Sequence, residues 1–98
     1  MTPEGRVKTK VKKILADLGA WHFSPQAGIY GRSGIPDIIG CYHGHFFAIE
    51  CKANGNTTTP LQEQAICAIT GAGGLALVVD ESNIDRLKRT IVLLGRVD

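Results

Sequence analysis

Gly34-Ile35-Pro36-Asp37-Ile38-Ile39-Gly40-Cys41-Tyr42 decides how this chain folds. A glycine-rich loop ends at Pro36-Asp37 and runs directly into an apolar stretch. His43-Gly44-His45 then forms a tight turn into a second apolar stretch, Phe46-Phe47-Ala48-Ile49, which ends in Glu50-Cys51-Lys52. Length and bounding turn residues predict two buried strands paired as a hairpin, one from about Asp37 to Tyr42 and one from Phe46 to Lys52. Period-two alternation puts Ala48, Glu50 and Lys52 on one face and Phe47, Ile49 and Cys51 on the other. Charged side chains are rarely buried unless paired or bound to a metal. A plain Glu–Lys surface pair accounts for Glu50 and Lys52. It does nothing for Asp37 or for the Gly-Ile-Pro before it. A divalent-metal phosphodiesterase site accounts for all three.

The chemistry follows from the residue types. A hard cation such as magnesium takes oxygen ligands and keeps several waters. Asp37 and Glu50 supply two carboxylates, and the Cys51 backbone carbonyl can supply a third oxygen. Lys52, two positions beyond Glu50 on the same face, is placed to position water or to stabilise developing negative charge.

Working outward, Thr2-Pro3-Glu4 opens a helix, with Thr2 as cap and Pro3 at the first helical position. Val7, Val11, Ile14, Leu15 and Leu18 form its apolar stripe, and Gly19 stops it. Trp21-His22-Phe23-Ser24 alternates and predicts a short half-buried strand, with His22 on the solvent side. The loop from Gln26 to Gly34 carries Tyr30, Arg32 and Ser33; its glycines let backbone approach a ligand, and Arg32 can fork onto a phosphate. Past the hairpin, Asn54 to Thr58 is a polar loop, and Thr59-Pro60-Leu61-Gln62 has the spacing of a capping box. Leu61, Ala65, Ala68, Ile69 and Ala72 are expected to form a buried stripe on this second helix. Leu75 to Val79 reads as a strand buried on both faces. Ser82-Asn83-Ile84-Asp85 has capping spacing for a last helix running to about Leu94, with Ile84, Leu87, Ile91 and Leu94 inward. The expected order is αβββαβα, a mixed sheet flanked by helices in a single domain spanning residues 1–98.

Composition narrows the function classes. Net charge is +2, but residues 1–32 carry +4 and the remainder −2. A basic first helix beside an acidic centre suits a polyanionic partner with metal-neutralised contacts. Arg6, Lys8, Lys10, Lys12 and Lys13 are therefore candidate contacts for such a partner, with Tyr30, Arg32, Ser33, Asn56, Thr57 and Thr58 from the loops. No apolar run reaches the length of a membrane span. No apolar signal region opens the chain, so an intracellular location is expected. Cys41, Cys51 and Cys67 match no zinc pattern; they read as small buried residues in a reducing compartment. His43 and His45 lack a third ligand at suitable spacing and read as turn residues.

Gly34-Ile35-Pro36-Asp37, then Glu50-Cys51-Lys52, then Gln62, resembles the PD-(D/E)xK nuclease signature. The Gly-x-Pro-Asp form, the short hairpin and the Thr-Pro-x-Gln helix start most resemble the VRR-Nuc (virus-type replication-repair nuclease) family, over Glu4 to about Val79. The resemblance implies a restriction-endonuclease-like fold and magnesium- or manganese-dependent cleavage of DNA. It implies that Asp37 and Glu50 bind metal, that Lys52 is catalytic, that Gln62 supports the site and that Glu4 adds an acidic contact. Compact stand-alone members are similar to Holliday-junction resolvases and tend to be homodimers, which implies branched DNA cut by two opposed sites. One departure is Val79-Asp80-Glu81, where relatives often show an arginine.

Other readings remain at this point. One is a nicking or restriction-type nuclease on linear duplex. Another is a non-catalytic DNA-binding module. A third is an interaction domain whose charged strand tips are only an ion pair.

Overall fold

The computed structural model describes residues 1–26 and 33–96. Tyr30 and Arg32 lie outside them. The element order is α1 (Pro3–Leu18), β1 (Trp21–Phe23), β2 (Ile38–Tyr42), β3 (His45–Cys51), α2 (Pro60–Gly71), β4 (Leu75–Val79), a 3-10 turn (Ile84–Arg86) and α3 (Leu87–Leu94). This is the αβββαβα arrangement, a mixed four-stranded sheet with three helices.

Local chemistry sets the boundaries. The Thr2 side chain accepts the Gly5 N–H at 3.0 Å at the start of α1, and Gly19 closes that helix in the left-handed region. His43 and Gly44, with φ of 48° and 83°, make the two-residue turn between β2 and β3. Positive φ at both positions matches the right-handed twist of the strands it joins. The same chemistry ends β3: Asn54 and Gly55 both have positive φ, and the Asn56 N–H returns to the Ala53 carbonyl at 3.1 Å.

The sheet order is β1-β2-β3-β4. The first three strands are antiparallel neighbours, and β4 joins β3 in parallel through the α2 crossover. The core lies between one sheet face and the pair α1 and α3. Phe47, Ile49 and Cys51 of β3 meet Val7, Val11 and Leu15 of α1 and Leu87 and Ile91 of α3. Gly40, paired with Phe47, makes room for that ring: a Cβ there would stand 2.5 Å from it.

Five expectations need correction. The α2 stripe is not buried: Leu61 is 50% exposed, Ala68 and Ala72 are exposed, and Ala65 and Ile69 are only half covered. Strand β4 is not buried on both faces, because it is the edge strand; only Val79 is buried and Val78 is exposed. In β1 the pattern is reversed. Trp21 is 63% exposed and Phe23 is exposed, while His22 is half-buried with Nδ1 3.0 Å from the Ala20 carbonyl oxygen. The Ser82 spacing does not cap a helix. The Asn83 side chain instead accepts the Asp80 N–H at 2.9 Å and donates to the Val78 carbonyl, so the first turn is 3-10. Among the cysteines only Cys51 is buried; Cys41 and Cys67 are exposed, and all three are free.

Candidate active site at the tips of β2 and β3

The hairpin register builds the site. Ile38 pairs with Ile49. Continuing that antiparallel ladder by one residue sets Asp37 opposite Glu50. The approach to Asp37 depends on the residues before it. Gly34 has φ of 81°, and a Cβ there would lie 2.5 Å from the Leu61 carbonyl oxygen. Only glycine lets the loop turn that way so close to the start of α2. Pro36 is buried and holds its own φ, which also biases Ile35 towards extended backbone. The chain therefore enters β2 with Asp37 already aimed.

Asp37 is held at both oxygens. The Cys51 N–H donates to Oδ2 at 2.8 Å, and Lys8 Nζ stands 3.4 Å from Oδ1. A strand residue sends its N–H and C=O towards the same neighbour. The Cys51 carbonyl therefore faces the Asp37 side, while the Lys52 N–H turns the other way, to Val79, at 2.9 Å.

Glu50 is only 3% exposed. Its Oε2 accepts from Gln62 Nε2 at 3.0 Å and lies 3.7 Å from Lys52 Nζ. Lys52 is itself 8% exposed, so this pair is buried together. Burial, and then the Asp37 carboxylate beside it, push the Glu50 carboxyl from its ordinary value of 4.5 up to about 7, against the pull of Lys52. Glu4 adds a smaller push in the same direction. The Glu50 Oε1 atom is buried and has no hydrogen-bond partner among the described residues. Burial also pushes the Cys51 thiol up to about 12, so it is an inert core group.

These residues fit a hard cation. A buried carboxylate, Glu50, lies beside a half-buried one, Asp37; one Glu50 oxygen lacks a donor, and a backbone carbonyl faces the pair. Among the described residues no group of three or more His, Cys, Asp and Glu side chains converges on a metal position. Two carboxylates and a backbone carbonyl are hard oxygen donors, the kind magnesium accepts and zinc does not favour.

The other sequence candidates are distributed around this centre. Ser33 lines a cleft of about 270 Å³ with Pro25, Gln26, Gly34, Ile35 and Pro36 that opens beside Asp37. On α1, Lys8 lies one turn after Glu4 on the flank that faces the carboxylates. Lys12 follows one turn later on that flank. Arg6 and Lys10 lie across the apolar stripe, lining a separate cleft with Asn54, Glu81 and Asp85. Lys13 pairs with Asp17 at 3.2 Å. The Thr58 hydroxyl bonds Glu63, and Asn56 and Thr57 are exposed in the loop before α2. The Lys8–Asp37 contact was invisible to sequence reasoning. No sequence signal was available, because Lys8 is one of several lysines on α1.

No family model matches the chain, and no curated protein matches it. A solved structure described as a VRR_NUC domain matches it with a TM-score of 0.76 and 24% identity, covering 91% of this chain and 97% of that one. The chain has the fold of that domain over nearly its whole length. No helix among the described residues is long and apolar enough to cross a membrane.

Proposed function

We propose that this chain is a VRR-Nuc-type deoxyribonuclease, a divalent-metal-dependent endonuclease that hydrolyses phosphodiester bonds in branched DNA. The observation that carries this reading is Glu50 Oε1. It is a buried carboxylate oxygen without a donor, beside a second carboxylate, with a lysine ammonium on the same strand face. Such a group weakens a fold that has no use for it. The likeness of the fold to a VRR_NUC domain supports the same reading.

Asp37, Glu50 and the Cys51 carbonyl would hold magnesium or manganese. The ion supplies a Lewis acid that stabilises charge on the scissile phosphate and makes a nearby water more acidic. The chain's own residues do the rest. Gln62 fixes the Glu50 carboxylate, and the Cys51 N–H fixes Asp37. The Lys52 ammonium, beside Glu50, would offset negative charge as the water oxygen bonds to phosphorus and the ester bond breaks. The attacking water loses a proton to solvent and the leaving oxygen takes one from solvent, which completes the hydrolysis. Two copies in a homodimer would present two such sites to a junction, inside a bacterial or virus-infected cell.

Incubating the purified protein with end-labelled four-way, flap and linear DNA, in magnesium, manganese or chelator, tests this. The expected result is divalent-dependent cutting of the branched substrates and loss of cutting in Asp37→Asn. Equal cutting of all three would remove branch selectivity. Binding without cleavage under every ion would make the chain a DNA-binding module instead.

A further inference from the structure

Lys8 is the one described cation that reaches Asp37 from outside the hairpin, and its geometry differs from that of Lys52. Asp37 Oδ2 is tied to the Cys51 backbone N–H, which cannot move without breaking β3. Oδ1 faces the Lys8 ammonium, carried on a flexible four-carbon stem from α1. In this arrangement each acid has its own amine: Lys8 for Asp37 and Lys52 for Glu50. With both carboxyls ionised, as an incoming cation requires, the four groups sum to no net charge.

A divalent cation added to this balanced set makes it strongly positive unless one ammonium withdraws. Lys52 is the poorer candidate, because its side chain is 11% exposed and has little room to leave. The Lys8 side chain is 33% exposed and sits on the flank of a helix, with solvent beside it. We propose that Lys8 is a resident counter-cation, which keeps the two carboxylates together in the metal-free protein and is displaced from Asp37 Oδ1 when the ion enters. The released ammonium lies at the mouth of the site and becomes a contact for a DNA phosphate. Ion binding and DNA binding are thereby linked through one side chain. This inference rests on the metal-site reading above.

The test is calorimetric titration with manganese and no DNA, on the wild type, Lys8→Met, Lys8→Gln and Lys8→Arg. Lys88→Met, on exposed α3, controls for general charge. Circular dichroism checks that each variant is folded. Removing the competing ammonium is expected to tighten ion binding by roughly 2- to 10-fold in Lys8→Met and Lys8→Gln. Lys8→Arg and Lys88→Met are expected to stay near wild type. A purely structural role would act the other way, since a damaged site binds more weakly. Unchanged or weaker binding in the folded Lys8→Met and Lys8→Gln proteins, with a wild type that binds, overturns this inference alone. A wild type that binds no manganese overturns the metal-site reading and this inference with it.

Discussion

Gln62 joins the cap of α2 to the acid of β3. Its Oε1 accepts the Thr59 N–H at 2.9 Å, so its Nε2 is left to donate to Glu50 Oε2 at 3.0 Å. The reciprocal bond, from the Gln62 N–H to Thr59 Oγ1, completes the capping box. One amide therefore has two jobs, both set by a single orientation. Gln62→Ala is expected to lower stability by about 1 kcal/mol through the lost cap. It should also lower cleavage by roughly 10- to 100-fold through a freed Glu50. Gln62→Glu keeps an oxygen for Thr59 but sets a carboxylate against Glu50. It should melt closer to wild type than the alanine variant while cleaving no better. Melting and single-turnover cleavage on the same samples separate the two jobs.

Lys52→Ala is expected to abolish cleavage, with a loss on the order of 10²-fold or more, while the protein remains folded. Loss of its charge also removes what pulls the Glu50 carboxyl down, so that carboxyl should move further up. Circular dichroism with a labelled-DNA assay checks the first outcome. Full turnover by a folded Lys52→Ala protein would exclude the proposed role.

The hairpin was legible because its signals are local. The apolar stretches around His43-Gly44 fix strand length, the turn fixes register, and period two fixes which side chains share a face. Asp37, Glu50 and Lys52 follow from those three facts. Coverage is a different matter. Spacing shows that Leu61, Ala65, Ala68, Ile69 and Ala72 share a helix face, but not whether anything lies over it. The same gap explains β4, whose apolar run resembles a central strand although it lies at the sheet edge, and Trp21, which alternation alone placed inward. Lys8 escaped for a third reason. Its partner is set by how far a long side chain reaches across the fold, and among several lysines on one helix no spacing singles it out.

Gly34→Ala should damage the site from a distance. Its φ of 81° is strained for any L side chain, and a Cβ would meet the Leu61 carbonyl oxygen at 2.5 Å. The loop must shift, and Asp37, three residues on, shifts with it. A stability loss of roughly 1–3 kcal/mol is expected, with weaker manganese binding in the molecules that remain folded. Denaturant melts and calorimetry read the two effects. A fully stable variant with unchanged ion affinity would show that the close approach to α2 is dispensable.

Thiol labelling checks the core. Cys41 and Cys67 are exposed and Cys51 is fully buried, with a thiol pushed up to about 12. Iodoacetamide at neutral pH should modify two cysteines in the native protein and the third only after unfolding. Mass spectrometry of the native sample shows which thiol is spared. Early modification of Cys51 would contradict the packing of β3 against α1.

The raised Glu50 carboxyl makes stability depend on pH with a definite sign. In the folded protein the group holds its proton up to about 7, against an ordinary value of 4.5. The native state therefore binds more protons than the unfolded chain between those values. Stability from this group is complete below about pH 4.5 and is lost as pH rises through about 7, by roughly 3 kcal/mol at most. Metal-free protein should thus melt at lower temperature at pH 8 than at pH 5. Glu50→Gln, which carries no titrating carboxyl, should flatten that slope. A divalent ion should restore most of the lost stability above pH 7, where the ionised carboxylate is free to take it, and little at pH 5. Thermal melts across pH 4.5 to 8, with and without manganese, read all three outcomes. A metal-free wild type that grows more stable from pH 5 to 8, by a slope that Glu50→Gln abolishes, would reverse the sign assigned to this carboxyl.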